Sequence, residues 1–161
     1  MKKMLAVILA FVIFAVPAFA VSTLVCTDTK VTFVGGVGHK VACVATGDAA
    51  TFTTLQIKDA AGSNINLVGQ YLYLLSVVPG ATGPTDNTDL ELLEDSATGP
   101  DILSGTGTDK IDNTATNVFR PLSGAVAYSA PIMGTLWVKA SNNSVSGAIF
   151  TLTLRTVPQS P

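Results

Sequence analysis

Gly134-Thr135-Leu136-Trp137-Val138-Lys139-Ala140, a connection over 141–147, and then Ala148-Ile149-Phe150-Thr151-Leu152-Thr153-Leu154-Arg155 decide the fold class of this chain. In the second arm Phe150, Leu152 and Leu154 fall on one side of an extended strand, and Ile149, Thr151, Thr153 and Arg155 on the other, because successive strand side chains point to opposite faces. The apolar set is expected to face the core. Joined through Asn142-Asn143 and Gly147, the two arms read as a hairpin. Trp137 then has two places: beside Phe150 in the core, or exposed at a subunit contact, where tryptophan is enriched.

Outward from this pair, strand-like patches recur at 30–34, 40–45, 51–58, 68–78 and 89–94. Gly35-Gly36, Gly47-Asp48, Pro79-Gly80, Gly83-Pro84 and Gly99-Pro100 interrupt them, as turn residues do. Many short strands at such spacing predict an all-β chain: a single antiparallel β-sandwich, jelly-roll or Ig-like. In Gln70-Tyr71-Leu72-Tyr73-Leu74-Leu75-Ser76-Val77-Val78 both alternating sets are largely apolar, which predicts a central strand with protein on each face. The one helix candidate is a turn or two within 109–117, where Thr and Asn are poor helix formers.

The first twenty residues have the three parts of a secretory signal: Lys2 and Lys3, an apolar run over 4–16, and Ala18-Phe19-Ala20 as the cleavage site. The run is too short to span a bilayer as a helix, which needs about 20 residues. A cleaved signal peptide over 1–20 and one β-sandwich domain over 21–161 is the expected organisation, secreted or periplasmic, with no membrane span left after cleavage. Removing Lys2 and Lys3 leaves seven basic against eleven acidic residues, a formal charge of −4. No cluster of Lys and Arg remains to neutralise phosphates, so nucleic acid is excluded as a partner. Export places Cys26 and Cys43 where thiols are oxidised, and a Cys26–Cys43 disulfide is expected.

The chemistry-bearing residues are few. His39 is the only histidine, which removes every arrangement that needs two. It follows Gly35-Gly36-Val37-Gly38, with no Gly-Lys-Ser/Thr after it, and reads as an exposed loop residue. No G-x-S-x-G elbow is present. Asp86, Asp89, Glu91, Glu94, Asp95 and Asp101 occur with no base among them; a calcium site on Asp95, Asp101 and loop carbonyls is the metal reading they offer. Against it, Asp89 and Glu91 alternate with Leu90 and Leu92 as a solvated strand face would, and no EF-hand spacing exists. Apart from that calcium, no cofactor is expected, and the chain reads as a non-enzyme. Trp137, Tyr71, Tyr73 and Tyr128 are the residues an interface or a sugar ligand would use.

The segment Pro79-Gly80-Ala81-Thr82-Gly83-Pro84-Thr85-Asp86-Asn87-Thr88-Asp89-Leu90-Glu91-Leu92, followed by Asp95 and Gly99-Pro100-Asp101-Ile102-Leu103-Ser104-Gly105, resembles a group of small structural proteins of tailed bacteriophages. The resemblance runs from about Val68 to Arg155 and departs from the group's pattern at Thr88 and Lys110. It implies a virion-type structural or decoration protein, whose motif specifies shape and not catalysis. A virion subunit assembles in the host cytoplasm, so the leader makes reuse of such a fold outside the cell the favoured form, with the virion as alternative. The function expected is association: self-assembly, or attachment to a virion or surface. The rivals are a secreted carbohydrate- or ligand-binding module and a fimbria-like subunit. Against the fimbrial one, the chain closes on Thr156-Val157-Pro158-Gln159-Ser160-Pro161 without an aromatic-ended strand.

Overall fold

A computed structural model describes residues 21–34, 36–48 and 52–159; the leader predicted over 1–20 lies outside them. The chain is all-β and antiparallel. Its strands are β1 (Thr23–Phe33), β2 (Gly36–Thr46), β3 (Leu55–Gln56), β4 (Gln70–Pro79), β5 (Asp89–Glu94), β6 (Asn117–Phe119), β7 (Leu122–Ser123), β8 (Val126–Ala127), β9 (Ala130–Ile132), β10 (Leu136–Ser141) and β11 (Ile149–Pro158). A six-stranded sheet runs β1-β2-β11-β4-β6, with β9 also on β4; a three-stranded sheet runs β3-β10-β5, and β7-β8 is a small ribbon.

The core lies between the two larger sheets. β11 contributes Phe150, Leu152 and Leu154, all fully buried as their alternation predicts, β2 contributes Val41 and Cys43, and β10 contributes Val138 and Ala140. Phe150 meets Phe52 edge to face, with ring centroids 5.1 Å apart. The predicted closing hairpin is not formed, because β10 pairs with β3 and β5 while β11 pairs with β2 and β4. The connection 142–148 arches from one sheet to the other instead. Asn142 and Gly147 adopt positive φ there, and Asn143 Oδ1 accepts the Thr85 amide at 3.0 Å. Two apolar strand faces in succession bury each other across a sandwich as well as a hairpin would bury them against a third layer.

Of the two places expected for Trp137, the one beside Phe150 is not taken. On β10 the inward set is Leu136, Val138 and Ala140, so Trp137 lies on the far side of the smaller sheet from Phe150, directly opposite Leu93 on β5. The double apolar pattern of β4 has a local cause. Leu72 pairs with Thr156 and Leu74 with Arg155, leaving Tyr73 as an extra residue. Such a bulge shifts the phase of every later side chain, so Leu72 before it and Leu75 and Val77 after it all reach the core. β4 is flanked by strands on both edges, but its outer face is half open, with Val78 exposed. No helix forms over 109–117: Ile111 bridges Thr88, and the chain turns at 113–114 before β6.

The free edge of β5 is closed by the 100–107 segment, through Ile102 N–H to Leu92 O at 2.9 Å and Leu90 N–H to Gly107 O at 2.9 Å. At the other end of the sandwich β2 passes so close to β11 that a side chain at Gly38 would meet the Thr156 carbonyl oxygen at 2.2 Å and the Phe33 ring at 2.7 Å. Gly38→Ala is therefore expected to destabilise the fold by about 1–3 kcal/mol, the usual cost of overpacking. Equal urea midpoints for the two proteins would refute this approach.

Candidate interaction surfaces and a polar cleft

Cys26 and Cys43 are directly opposite on β1 and β2 and form the expected disulfide, with sulfurs 2.03 Å apart. Both are buried. The pair fixes the register of the hairpin, and with it everything displayed on its two faces and its edge.

The outer face of the six-stranded sheet is unusual in composition. Register places Val25 opposite Val44, Val44 opposite Thr151, and Thr151 opposite Val78, one row across four strands. Val25, Val44 and Val78 are 49%, 46% and 40% exposed. The adjacent row is Thr27, Ala42, Thr153, Ser76 and Val118. Neither row holds a charge. Charges enter only in the next one, Thr29, Lys40, Arg155 and Leu74. The two rows together make a contiguous uncharged area on the solvent side of the main sheet.

On the inner side of the same hairpin, beyond the smaller sheet, lies an open cleft of about 940 Å³ lined by Asp28, Lys30, His39, Asp59, Asn64 and Gln70 among others. His39 Nδ1 is 2.8 Å from Asp28 Oδ2 and 3.0 Å from Oδ1. His39 is thus not a loop residue: it sits within β2, its side chain 13% exposed, hydrogen-bonded to Asp28 across the hairpin. The sequence hid this partner because β1 begins at Thr23, and the expected strand began at Lys30. Asp28 lies two residues after Cys26, on the same face, and that alternation was the available signal. A carboxylate holding one ring nitrogen fixes imidazole orientation and tautomer, as in acid–base pairs. Of its neighbours on β1, Thr27 points to the opposite face from Cys26, and Cys26 is in the disulfide.

The acidic stretch ties loops to strands. Asp101 Oδ1 accepts the amides of Leu92 and Leu103 at 3.1 and 3.0 Å, and Oδ2 that of Gly105 at 2.9 Å. Glu94 Oε1 accepts those of Met133 and Gly134 at 2.6 and 3.0 Å. Asp89 accepts from Asp109 N–H at 2.9 Å and Asp86 from Asn113 N–H at 2.9 Å, while Glu91 pairs with Lys139 at 2.7 Å. Asp112 has its pKa lowered chiefly by the amides of Thr114 and Ala115 in its own turn. Asp95 is an exposed turn residue at positive φ. Among the described residues no three His, Cys, Asp or Glu side chains gather as a metal site would require. Asp101→Ala is expected to cost about 2 kcal/mol, since hydrogen bonds to a charged acceptor are among the stronger ones. A chemical melt of that variant, run with and without calcium, reads the structural and metal roles separately.

The predicted aromatic residues are dispersed. Tyr71 is in β4 opposite Val157 and Pro131, Tyr73 is at the bulge, and Tyr128 donates its hydroxyl to Ile102 O at 3.1 Å. Trp137 lies on the smaller sheet. None of the four lines the cleft.

Fold and surfaces together define a disulfide-linked antiparallel β-sandwich with an uncharged sheet face and a polar cleft beside β1. Among the described residues no helix is long and apolar enough to cross a membrane. Comparison with known protein families, curated proteins and solved structures returns no match.

Proposed function

We propose that this chain is an exported, non-enzymatic structural subunit that works by association, similar in kind to phage virion structural or decoration proteins. The observation that carries the reading is the pair of uncharged rows, Val25-Val44-Thr151-Val78 and Thr27-Ala42-Thr153-Ser76-Val118, on the solvent side of the main sheet. Desolvating β-branched side chains is favourable, at about 25 cal/mol per Å², and with no charge in those rows no ion must be stripped of water when a partner covers them. The disulfide supports export, since such bonds persist in oxidising compartments. The tripartite leader supports it independently, and the Pro/Gly-rich segment 79–105 supports the virion-type kinship.

Fractionation of cells, medium and particles, followed by N-terminal sequencing, tests this reading. Expected is a polypeptide starting at Val21 in an assembled or surface-attached fraction. An uncut chain free in the cytoplasm, or substrate turnover by the pure mature form, overturns it. The cleft favours a second reading, a ligand-binding module. Its amides and the Asp28–His39 pair suit a polar ligand, and glycan binding abolished by His39→Ala would select that reading.

A further inference from the structure

The edge of β1 is half occupied, and the occupied half fixes what the rest can accept. Cys26 N–H points away from β2 and donates to Lys58 O at 3.2 Å. In an antiparallel pair the residues alternate between facing the partner strand and facing away, so Asp28, Lys30 and Thr32 also turn their N–H and C=O outward. His39 confirms the alternation from the other side: it lies opposite Lys30, and its N–H leaves the hairpin in the other direction, to Thr156 Oγ1 at 3.0 Å. Beyond the Cys26–Asp59 bridge no described strand pairs with this edge. Exposed apolar side chains gather at the same end: Val31 at 38%, Phe33 at 36%, Val37 at 42%, and Val34 fully exposed.

We propose that the occupant of this edge is β1 of a second copy of the chain, running antiparallel about a two-fold axis at Val31, so that the two main sheets become one. This rests on the association reading and names its partner. An antiparallel partner must set outward-facing residues against outward-facing residues, which leaves few registers. An axis at Thr29 would drive Thr32 of the second copy into the main chain of Lys58 and Asp59, already seated beside Cys26. With the axis at Lys30, that side chain would stack on its own copy, and like charges directly opposite are unfavourable. Moving the axis beyond Val31 toward the turn shortens the ladder.

Centred on Val31, the register clears Lys58, and Lys30 exchanges backbone bonds with Thr32 of the other copy, and Thr32 with Lys30. Val31 meets Val31 at the close, non-hydrogen-bonded position. Phe33 lies opposite Thr29 on the same face as Val31. The even spacing that leaves the edge open therefore also makes it complementary to itself.

Three cysteine and proline variants of the mature protein, with Cys26–Cys43 intact, test the pairing. Val31→Cys is expected to give a covalent dimer on mild oxidation, because a non-hydrogen-bonded pair brings its Cβ atoms to about 4.5–5.5 Å. Val118→Cys, exposed on the same sheet but far from the axis, is the control and is expected to stay monomeric on a non-reducing gel. Thr32→Pro removes an outward N–H and tolerates an edge position. It is expected to weaken dimerisation in sedimentation by at least about tenfold while leaving in place the melting curve recorded at a concentration where both proteins are monomeric. A dimer indifferent to Thr32→Pro, or Val31→Cys cross-linking no better than Val118→Cys, overturns the β1 pairing. If Val44→Lys dissolves such a dimer, association through the sheet face survives without it. A native protein monomeric at every concentration and bound to no particle overturns both.

Discussion

Replacing Phe150 with alanine is expected to lower the unfolding free energy by about 3–5 kcal/mol, the range for deleting a buried aromatic ring. Phe150 is wholly buried on the strand that holds the main sheet together, paired with Ala45 of β2 on one side and Pro79 of β4 on the other. Its ring also meets Phe52 edge to face, so truncation removes that contact and leaves a cavity in the core. Single domains of this size are stable by only about 5–15 kcal/mol; a large share of the total therefore rides on one side chain. Urea unfolding followed by tryptophan fluorescence measures the change. A loss below about 1 kcal/mol would mean that the two sheets are not packed at this point as described.

The second large effect is expected from the disulfide. Cys26→Ala together with Cys43→Ala should cost about 3 kcal/mol by the chain-entropy account, given a sequence separation of 17. At this chain size that corresponds to a fall in Tm of roughly 10 °C. The two substitutions also thin the core, since both cysteines are buried in it. Thermal melts of the oxidised, reduced and doubly substituted proteins separate the cross-link from the packing. If reduction alone leaves Tm unchanged, the bond contributes nothing to the unfolded-state constraint, and its loop-closure role is refuted.

The parts of the fold legible in the sequence were those whose pattern is purely local. β5 was expected at 89–94 and occurs there, because Leu90 and Leu92 alternate with carboxylates. The inward set of β11 was legible for the same reason. Which strand pairs with which was not, since alternation records a face and carries no record of the partner. Hence the arms at 134–140 and 148–155 looked like a hairpin although they lie in opposite layers. The Tyr73 bulge erased the alternation of β4 and made a strand with one open face look buried on both. At the surfaces, the disulfide followed from two cysteines and from the export expected of the first twenty residues. The Asp28–His39 pair did not follow, because it needs the hairpin register, which only the tertiary structure supplies.

The position of β11 has a consequence for how the molecule comes into being. β2 and β4 do not touch each other as neighbours; each is hydrogen-bonded to β11, which lies between them. Among the described strands none before residue 149 joins these two halves, so the main sheet cannot close until residues 149–158 are available. Such late, long-range closure makes folding slow. It also leaves β2 and β4 unjoined for as long as residues 149–158 are held back.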